Sequence, residues 1–301
     1  KEMEIDITVD LKGHTSGARP QILSFRPTPI QVNYLGYPGT IGAEYIDYII
    51  ADRFLIPENQ HSFYAEKVVC LPDSYQPNDS GRWIAEHTPT RGEAGLPECG
   101  FVFCSFNNNY KITPPVFEIW LRVLRKVEGS VLWLLGDNPA AIRNLRQSAE
   151  MRGVAPERLV FAPRVTLEDH LARHRLADLM LDTLPYNAHT TASDALWAGL
   201  PLVTCPGTGF AARVAGSLLL AAGLPELIVA TLDDYEALAL ALAHDPGRLA
   251  AIKAKLARNR NTCALFDTDR YRRHIESAYE TMWQRYQRGE SPASFAVDPI
   301  P

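Results

Sequence analysis

Residues 179–199 read LMLDTLPYNAHTTASDALWAG, and their order decides the fold class. Leu179, Met180 and Leu181 form a short apolar run suited to a strand covered on both faces. Asp182 ends that run. A polar turn containing Pro185 and Asn187 follows, and a helical pattern begins near Thr190. The same strand-then-helix order recurs from end to end. Apolar runs at 5–9, 31–35, 48–51, 67–71, 101–106, 131–135, 159–161, 179–181, 202–204 and 227–229 predict strands. Helix starts lie between them: Thr113-Pro114 sets a cap before a first-turn proline, Thr166 and Thr231 each precede an Asp three residues on, and Asp245-Pro246 opens another helix. Repeated β-then-α order predicts an α/β chain of parallel sheets with helices on both faces.

Working outward, composition bounds the rest. The 301 residues are 46% hydrophobic and 22% charged, as in an ordinary globular protein of about two domains. A net charge of -5 argues against a basic surface that wraps nucleic acid. No apolar run approaches the roughly 18 residues a membrane span needs, and the charged first residues do not read as a signal peptide. Five scattered cysteines without a CxxC pair read as reduced thiols, as in a cytoplasm. Residues 72–99 are polar and rich in Pro and Gly, and read as a linker. They divide a first block of residues 1–90 from a second of residues 91–266, with a long helix opening the C-terminal stretch 267–301. The first block has too few helices for an independent Rossmann-like domain. It reads as the second half of one.

Three constellations can carry chemistry. The helix start at Thr190 offers free N–H groups and the positive end of a dipole, an arrangement that holds anions. The Thr191 hydroxyl and His189 can add donors. Asp194, one turn on, can accept from sugar hydroxyls; equally, Thr190 is a cap and Asp194 a first-turn acid. Residues 101–114, FVFCSFNNNYKITP, bring Asn108 and Lys111 to the loop after a strand, where ligands of open α/β sheets bind. The alternative is a surface lysine in an Asn-rich turn. His170 begins the third, on a helix after the 159–161 strand, where an isolated His is as readily structural. Asp267-Thr-Asp269 imitates a DxD metal motif, but it opens a helix, and capping explains it better. No cluster has metal-ligand spacing, and no GxSxG, Walker A or GxGxxG motif is present.

The stretches 107–112, 131–135, 176–183, 187–199 and 206–214, with 10–19, 26–32 and 35–40, together resemble the catalytic region of the protein O-GlcNAc transferase family. That family includes the SPINDLY-type O-fucosyltransferases. The likeness is greatest to bacterial members, which lack the long insert between lobes. The resemblance implies two Rossmann-like lobes, the GT-B arrangement, with the first lobe incomplete in this chain. It implies inverting transfer of a sugar, GlcNAc from UDP-GlcNAc, to Ser/Thr hydroxyls of an acceptor protein, with no metal and no cofactor. GDP-fucose as donor, or nucleotide binding without catalysis, are the alternatives. The family's diphosphate lysine maps onto Lys111, its helix-start phosphate site onto His189, Thr190 and Thr191, its ribose acid onto Asp194 and its base-contacting histidine onto His170. Asn108, Val165 and Thr15 complete the implied donor-binding set. Asn108 stands where animal enzymes have Gln. Leu167 replaces a Lys, for which Arg164 is a substitute. His14 is a candidate acceptor base, with a structural turn histidine as the alternative. Members carry tetratricopeptide repeats and the first part of the N-terminal lobe upstream, which implies that this chain is a fragment.

The final helix carries Tyr271, Ile275, Tyr279, Met282, Trp283 and Tyr286 on one broad face. Such a stripe is too aromatic for water and is expected to pack on the first block, around Ile22, Phe25 and Tyr45.

Overall fold

The structure is a computed structural model, and it describes residues 4–300; positions 1–3 of the charged start, read above as no signal peptide, lie outside the described residues. In chain order the strands are β1 (Ile7–Asp10), β2 (Ile30–Asn33), β3 (Tyr48–Asp52), β4 (Lys67–Leu71), β5 (Val102–Ser105), β6 (Val131–Leu135), β7 (Leu159–Ala162), β8 (Leu179–Leu181), β9 (Leu202–Val203) and β10 (Phe295–Ala296). The α-helices are α1 (Pro114–Lys126), α2 (Pro139–Glu150), α3 (Leu167–Arg173), α4 (Thr190–Trp197), α5 (Val214–Ala221), α6 (Leu232–His244), α7 (Pro246–Asn259) and α8 (Thr268–Gln287). Two compact units result: Lys1–Asp79 with Gly209–Ala211 and Ala264–Pro301, and Ser80–Thr208 with Ala212–Cys263.

The first unit is built on a parallel sheet ordered β1-β2-β3-β4-β10. Every residue of β2 and β3 is buried; β3 is apolar up to Asp52, while β2 buries Gln31 and Asn33, whose side-chain amides donate to Leu23 O and Gly39 O. Short 3₁₀ turns, Pro20–Phe25 and Glu58–Phe63, stand where full crossover helices would be expected. The helical cover comes from far along the chain, because α8 packs on β2 and β4. Ala278 and Met282 are fully buried there. The Tyr271 and Tyr34 hydroxyls are hydrogen-bonded to each other, and both lie within hydrogen-bond distance of Tyr75 O, which accepts from the one whose proton the pair leaves free. The C-terminal helix therefore belongs with the N-terminal strands, but not through the residues expected. Ile22 and Phe25 are 51% and 84% exposed, and the stripe meets the sheet instead. Tyr286, at 49% exposed, lies off the buried face.

The second unit is a parallel sheet ordered β7-β6-β5-β8-β9. The chain runs outward from β5 to β7, then returns to β8 on the other side. That reversal puts a topological switch point between β5 and β8, and the crevice beyond their carboxyl ends is where such sheets take ligands. Helix α1 buries Phe117, Trp120, Leu121 and Leu124. Thr166, Thr231 and Asp245 cap their helices as predicted, accepting from the N–H three residues on. Thr113 precedes α1, but its hydroxyl donates to Leu184 O at 2.8 Å and ties two loops together.

Three expectations need correction. The first block ends at Asp79, not at 90. Residues 80–96, read as linker, are irregular but fastened to the second unit. Ala85 N donates to Glu168 O, Arg175 donates to Ala85 O, Trp197 Nε1 donates to Arg82 O, and Leu96 is buried. Backbone groups can be satisfied by such contacts without any periodicity that a sequence reveals. The strand expected at 227–229 is a 3₁₀ turn, Pro225–Leu227, followed by a single bridge between Thr204 and Ile228. Pro225 starts that turn, since its ring fixes φ and removes a donor. Among the described residues no two cysteines form a disulfide. Among the described residues no helix is long and apolar enough to cross a membrane.

Candidate donor-binding site

The site residues of the second unit rise from two loops flanking the switch point. Asp182 leaves β8 fully buried and organises the loop that follows. Its Oδ1 accepts from Thr183 N at 2.8 Å and Ala188 N at 2.6 Å, and its Oδ2 accepts from Thr204 Oγ1 at 2.6 Å. Burial nonetheless pushes its carboxyl up to about 7, because three donors only partly replace the lost water. Asn107 leaves β5 and bridges the two loops. Its Nδ2 donates to Thr183 Oγ1 at 3.1 Å, and its Oδ1 accepts from Thr191 Oγ1 at 2.6 Å. Asn187 Nδ2 donates to Thr183 O.

This lattice positions Lys111. Its Nζ donates to Asn187 O at 2.8 Å and sits 4.0 Å from the centre of the Tyr186 ring. The Tyr186 ring stacks on His189, with centroids 4.9 Å apart and planes 24° apart. His189 precedes α4, whose first residue, Thr190, is exposed. The first N–H groups of α4 have no intrahelical acceptor. Lys111, His189, Thr190 and Thr191 are thus gathered by the two loops. Burial pulls the Lys111 ammonium down to about 8, against the pull of the Asp182 charge. A cation that has lost part of its water and, among the described residues, found no carboxylate partner is prepared for an anion.

His170 sits on α3 against Phe106, with ring centroids 5.3 Å apart, and edge to face with His174 at 4.6 Å. Arg173 donates to His170 Nδ1 at 2.5 Å, which leaves the proton on Nε2. Burial and the neighbouring cation hold His170 neutral, pulling it down to about 2. Asp194 is buried in the first turns of α4, with its Oδ1 2.6 Å from Arg82 Nη1. Val165 is exposed and Asn108 is half-buried at the turn before Lys111. Arg164 is held by Asp137 at 2.5 Å.

His14 and Thr15 are in the first unit. His14 Nε2 donates to Ile41 O at 3.0 Å and its ring meets Tyr37 edge to face; Thr15 Oγ1 donates to Lys12 O. Asp267 caps α8, while Asp269 pairs with Arg272 and Arg273. Among the described residues no group of three His, Cys, Asp or Glu is placed to hold a metal ion. Sequence reasoning missed Asn107, Asp182, Tyr186 and Asn187 as one hydrogen-bonded frame, although all four were in the quoted stretches. It missed Arg82 because the surrounding residues read as linker.

The profile described as Glycosyl transferase family 41 matches residues 1–87 and 87–275. The chain is 41% identical over 300 residues to the protein of Arabidopsis thaliana called a probable UDP-N-acetylglucosamine--peptide N-acetylglucosaminyltransferase SEC, covering 98% of this chain and 31% of that protein. It is 36% identical to the tomato (Solanum lycopersicum) protein of the same description called SPINDLY, covering 97% of this chain and 32% of that one. It superimposes on a mutant of the Thermobaculum terrenum O-GlcNAc transferase with a TM-score of 0.85 at 33% identity, covering 96% of this chain and 55% of that chain. The chain therefore spans about a third of the length of the curated relatives it matches. Two parallel α/β sheets, one in each unit, are the GT-B architecture.

Proposed function

The chain belongs to glycosyl transferase family 41, and from that premise we propose that it supplies the nucleotide-sugar site of an inverting protein O-glycosyltransferase. The donor is UDP-GlcNAc, bound without metal, and the acceptors are Ser/Thr hydroxyls of proteins. The observation that carries this reading is the Lys111 ammonium, desolvated over Tyr186 beside the exposed start of α4. The acceptor oxygen attacks C1 as the bond from C1 to the diphosphate oxygen breaks. The acceptor proton departs to a base, and UDP leaves carrying the negative charge. Lys111 and the N–H groups of Thr190 and Thr191 oppose that charge without reorganising, which is where such sites gain most of their rate. His170, neutral and packed edge to face against Phe106, offers an apolar face and an Nε2–H donor to the base. Asp194 accepts from the ribose hydroxyls. We assign no acceptor base. His14 has its Nε2–H engaged by Ile41 O, and that suits a turn histidine.

Calorimetric titration of the chain with UDP, then GDP, each with excess EDTA, tests the reading. Saturable UDP binding that EDTA leaves unchanged, with GDP weaker by about tenfold or more (about 1.4 kcal/mol), is expected. Loss of UDP binding on EDTA treatment overturns the metal-free donor site, and preference for GDP transfers the reading to GDP-fucose.

A further inference from the structure

Asp194 is an acid in an awkward place. Its side chain is 7% exposed, and burial pushes its carboxyl up to about 6 even with Arg82 opposing that rise. Arg82 comes from an irregular segment 112 residues away and is fixed from three sides. Its carbonyl oxygen accepts from Trp197 Nε1 at 3.0 Å, its guanidinium lies 5.5 Å from the Trp197 ring centre, and its Nη1 meets Asp194 Oδ1 at 2.6 Å. The Arg82 side chain is itself 12% exposed. Arg260 lies at a similar distance from the Trp197 ring and donates to Trp197 O, which braces the platform. The contact between Arg82 and Asp194 is end-on, so it uses one carboxylate oxygen. Among the described residues Oδ2 has no hydrogen-bond donor.

We infer that Arg82 is a positioning residue for the donor: it holds Asp194 as a carboxylate, turned so that Oδ2 accepts from the hydroxyls of a ribose diol. The inference rests on the reading of Asp194 as the ribose acid. Arg82 acts on the donor through Asp194. A buried carboxylate without its cation takes up a proton, and a protonated carboxyl loses acceptor capacity at the place the diol needs it. The elements packed on α4 present further charged groups: Glu168, Asp169, His170 and Arg173 on α3, Arg213 before α5, and Arg260 at the end of α7. Of these and Arg82, Arg82 alone reaches the Asp194 carboxylate among the described residues.

The test is UDP titration of the full chain as wild type, Arg82→Met, Arg82→Lys and Asp194→Asn, between about pH 6 and 9. Taking the ratio to wild type at each pH cancels any titration of Lys111. For Arg82→Met the deficit in affinity is expected to be at least tenfold near the acid end. It should shrink as pH rises, by up to about tenfold per pH unit. Arg82→Lys should restore most of the wild-type profile. Asp194→Asn should be weak at every pH, with no such slope. If Arg82→Met does not fold, Arg82→Gln, which still donates a hydrogen bond, provides the same comparison. A deficit constant across pH makes Arg82 a mere structural strap and overturns the inference. So does tighter binding, which would mean that Arg82 competes with the ribose. Wild-type affinity in Asp194→Asn overturns the ribose assignment itself, and the inference with it.

Discussion

Replacing Lys111 with Met is expected to reduce transfer by about 10²–10³-fold while the protein stays folded. The Nζ sits between Asn187 O and the Tyr186 ring, with no carboxylate in contact among the described residues, so its charge does little for the fold. Loss of one charge-assisted contact to bound diphosphate costs about 1.5–3 kcal/mol. The effect on rate is larger, because leaving-group charge grows in the transition state. The sign of the stability effect separates this role from a structural one. Lys111 is pulled down from 10.5 to about 8 in the folded chain, so its contribution to stability is present above the unfolded value and is lost as pH falls through about 8. At neutral pH the buried ammonium opposes folding, and Lys111→Met should melt no lower than wild type. UDP affinity of the wild type should weaken as pH rises through about 8, where the free lysine loses its proton. Turnover within threefold of wild type, or a melting temperature that falls with activity, removes Lys111 from the mechanism.

Asp182→Ala is expected to cost about 2–4 kcal/mol and to abolish UDP binding with it. Removal of the carboxylate strands the Thr183 and Ala188 N–H groups and the Thr204 hydroxyl in the interior, all at the turn that aims α4. Tyr235 donates to Asp182 O and accepts from Trp120 Nε1, so the backbone there is held from the helical layer as well. Asp182→Asn should be far milder. An amide oxygen keeps both N–H bonds, and no buried charge remains to be tolerated. The linkage is explicit: a carboxyl raised from 3.8 to about 7 stabilises the fold fully below the unfolded value, and that contribution fades as pH rises to about 7. Asp182→Asn should remove this slope from a denaturation series between about pH 4 and 7. Equal destabilisation by Asn and Ala would mean that the negative charge itself is required.

The residues that were legible in the sequence share a physical cause. Val131–Leu135, Lys67–Leu71 and Leu179–Leu181 are strands as read, because burial on both faces demands unbroken apolar runs. That Lys111 and the start of α4 lie close together was legible because each follows a strand end where polar residues begin, at the crevice of an open α/β sheet. What stayed hidden depends on partners distant in sequence. Residues Phe295 and Ala296 complete the first sheet through Val297 N to Cys70 O, a pairing no local pattern announces. Arg82 meets Asp194, and Asn187 meets Lys111, across 112 and 76 residues. The segment 80–96 looked like a linker because its order comes from Glu168 O of α3, the Arg175 side chain and the Asp194 and Trp197 side chains of α4, and not from a ladder of its own.

The site's central claim is that the diphosphate of the donor lies between Lys111 and the first turn of α4. A crystal structure of the chain with UDP tests it most directly. The account predicts phosphate oxygens within hydrogen-bond distance of Lys111 Nζ and of the Thr190 and Thr191 N–H groups, the ribose at Asp194, and the base against His170. A diphosphate bound elsewhere, with Lys111 still on Asn187 O and no phosphate beside it, contradicts the account.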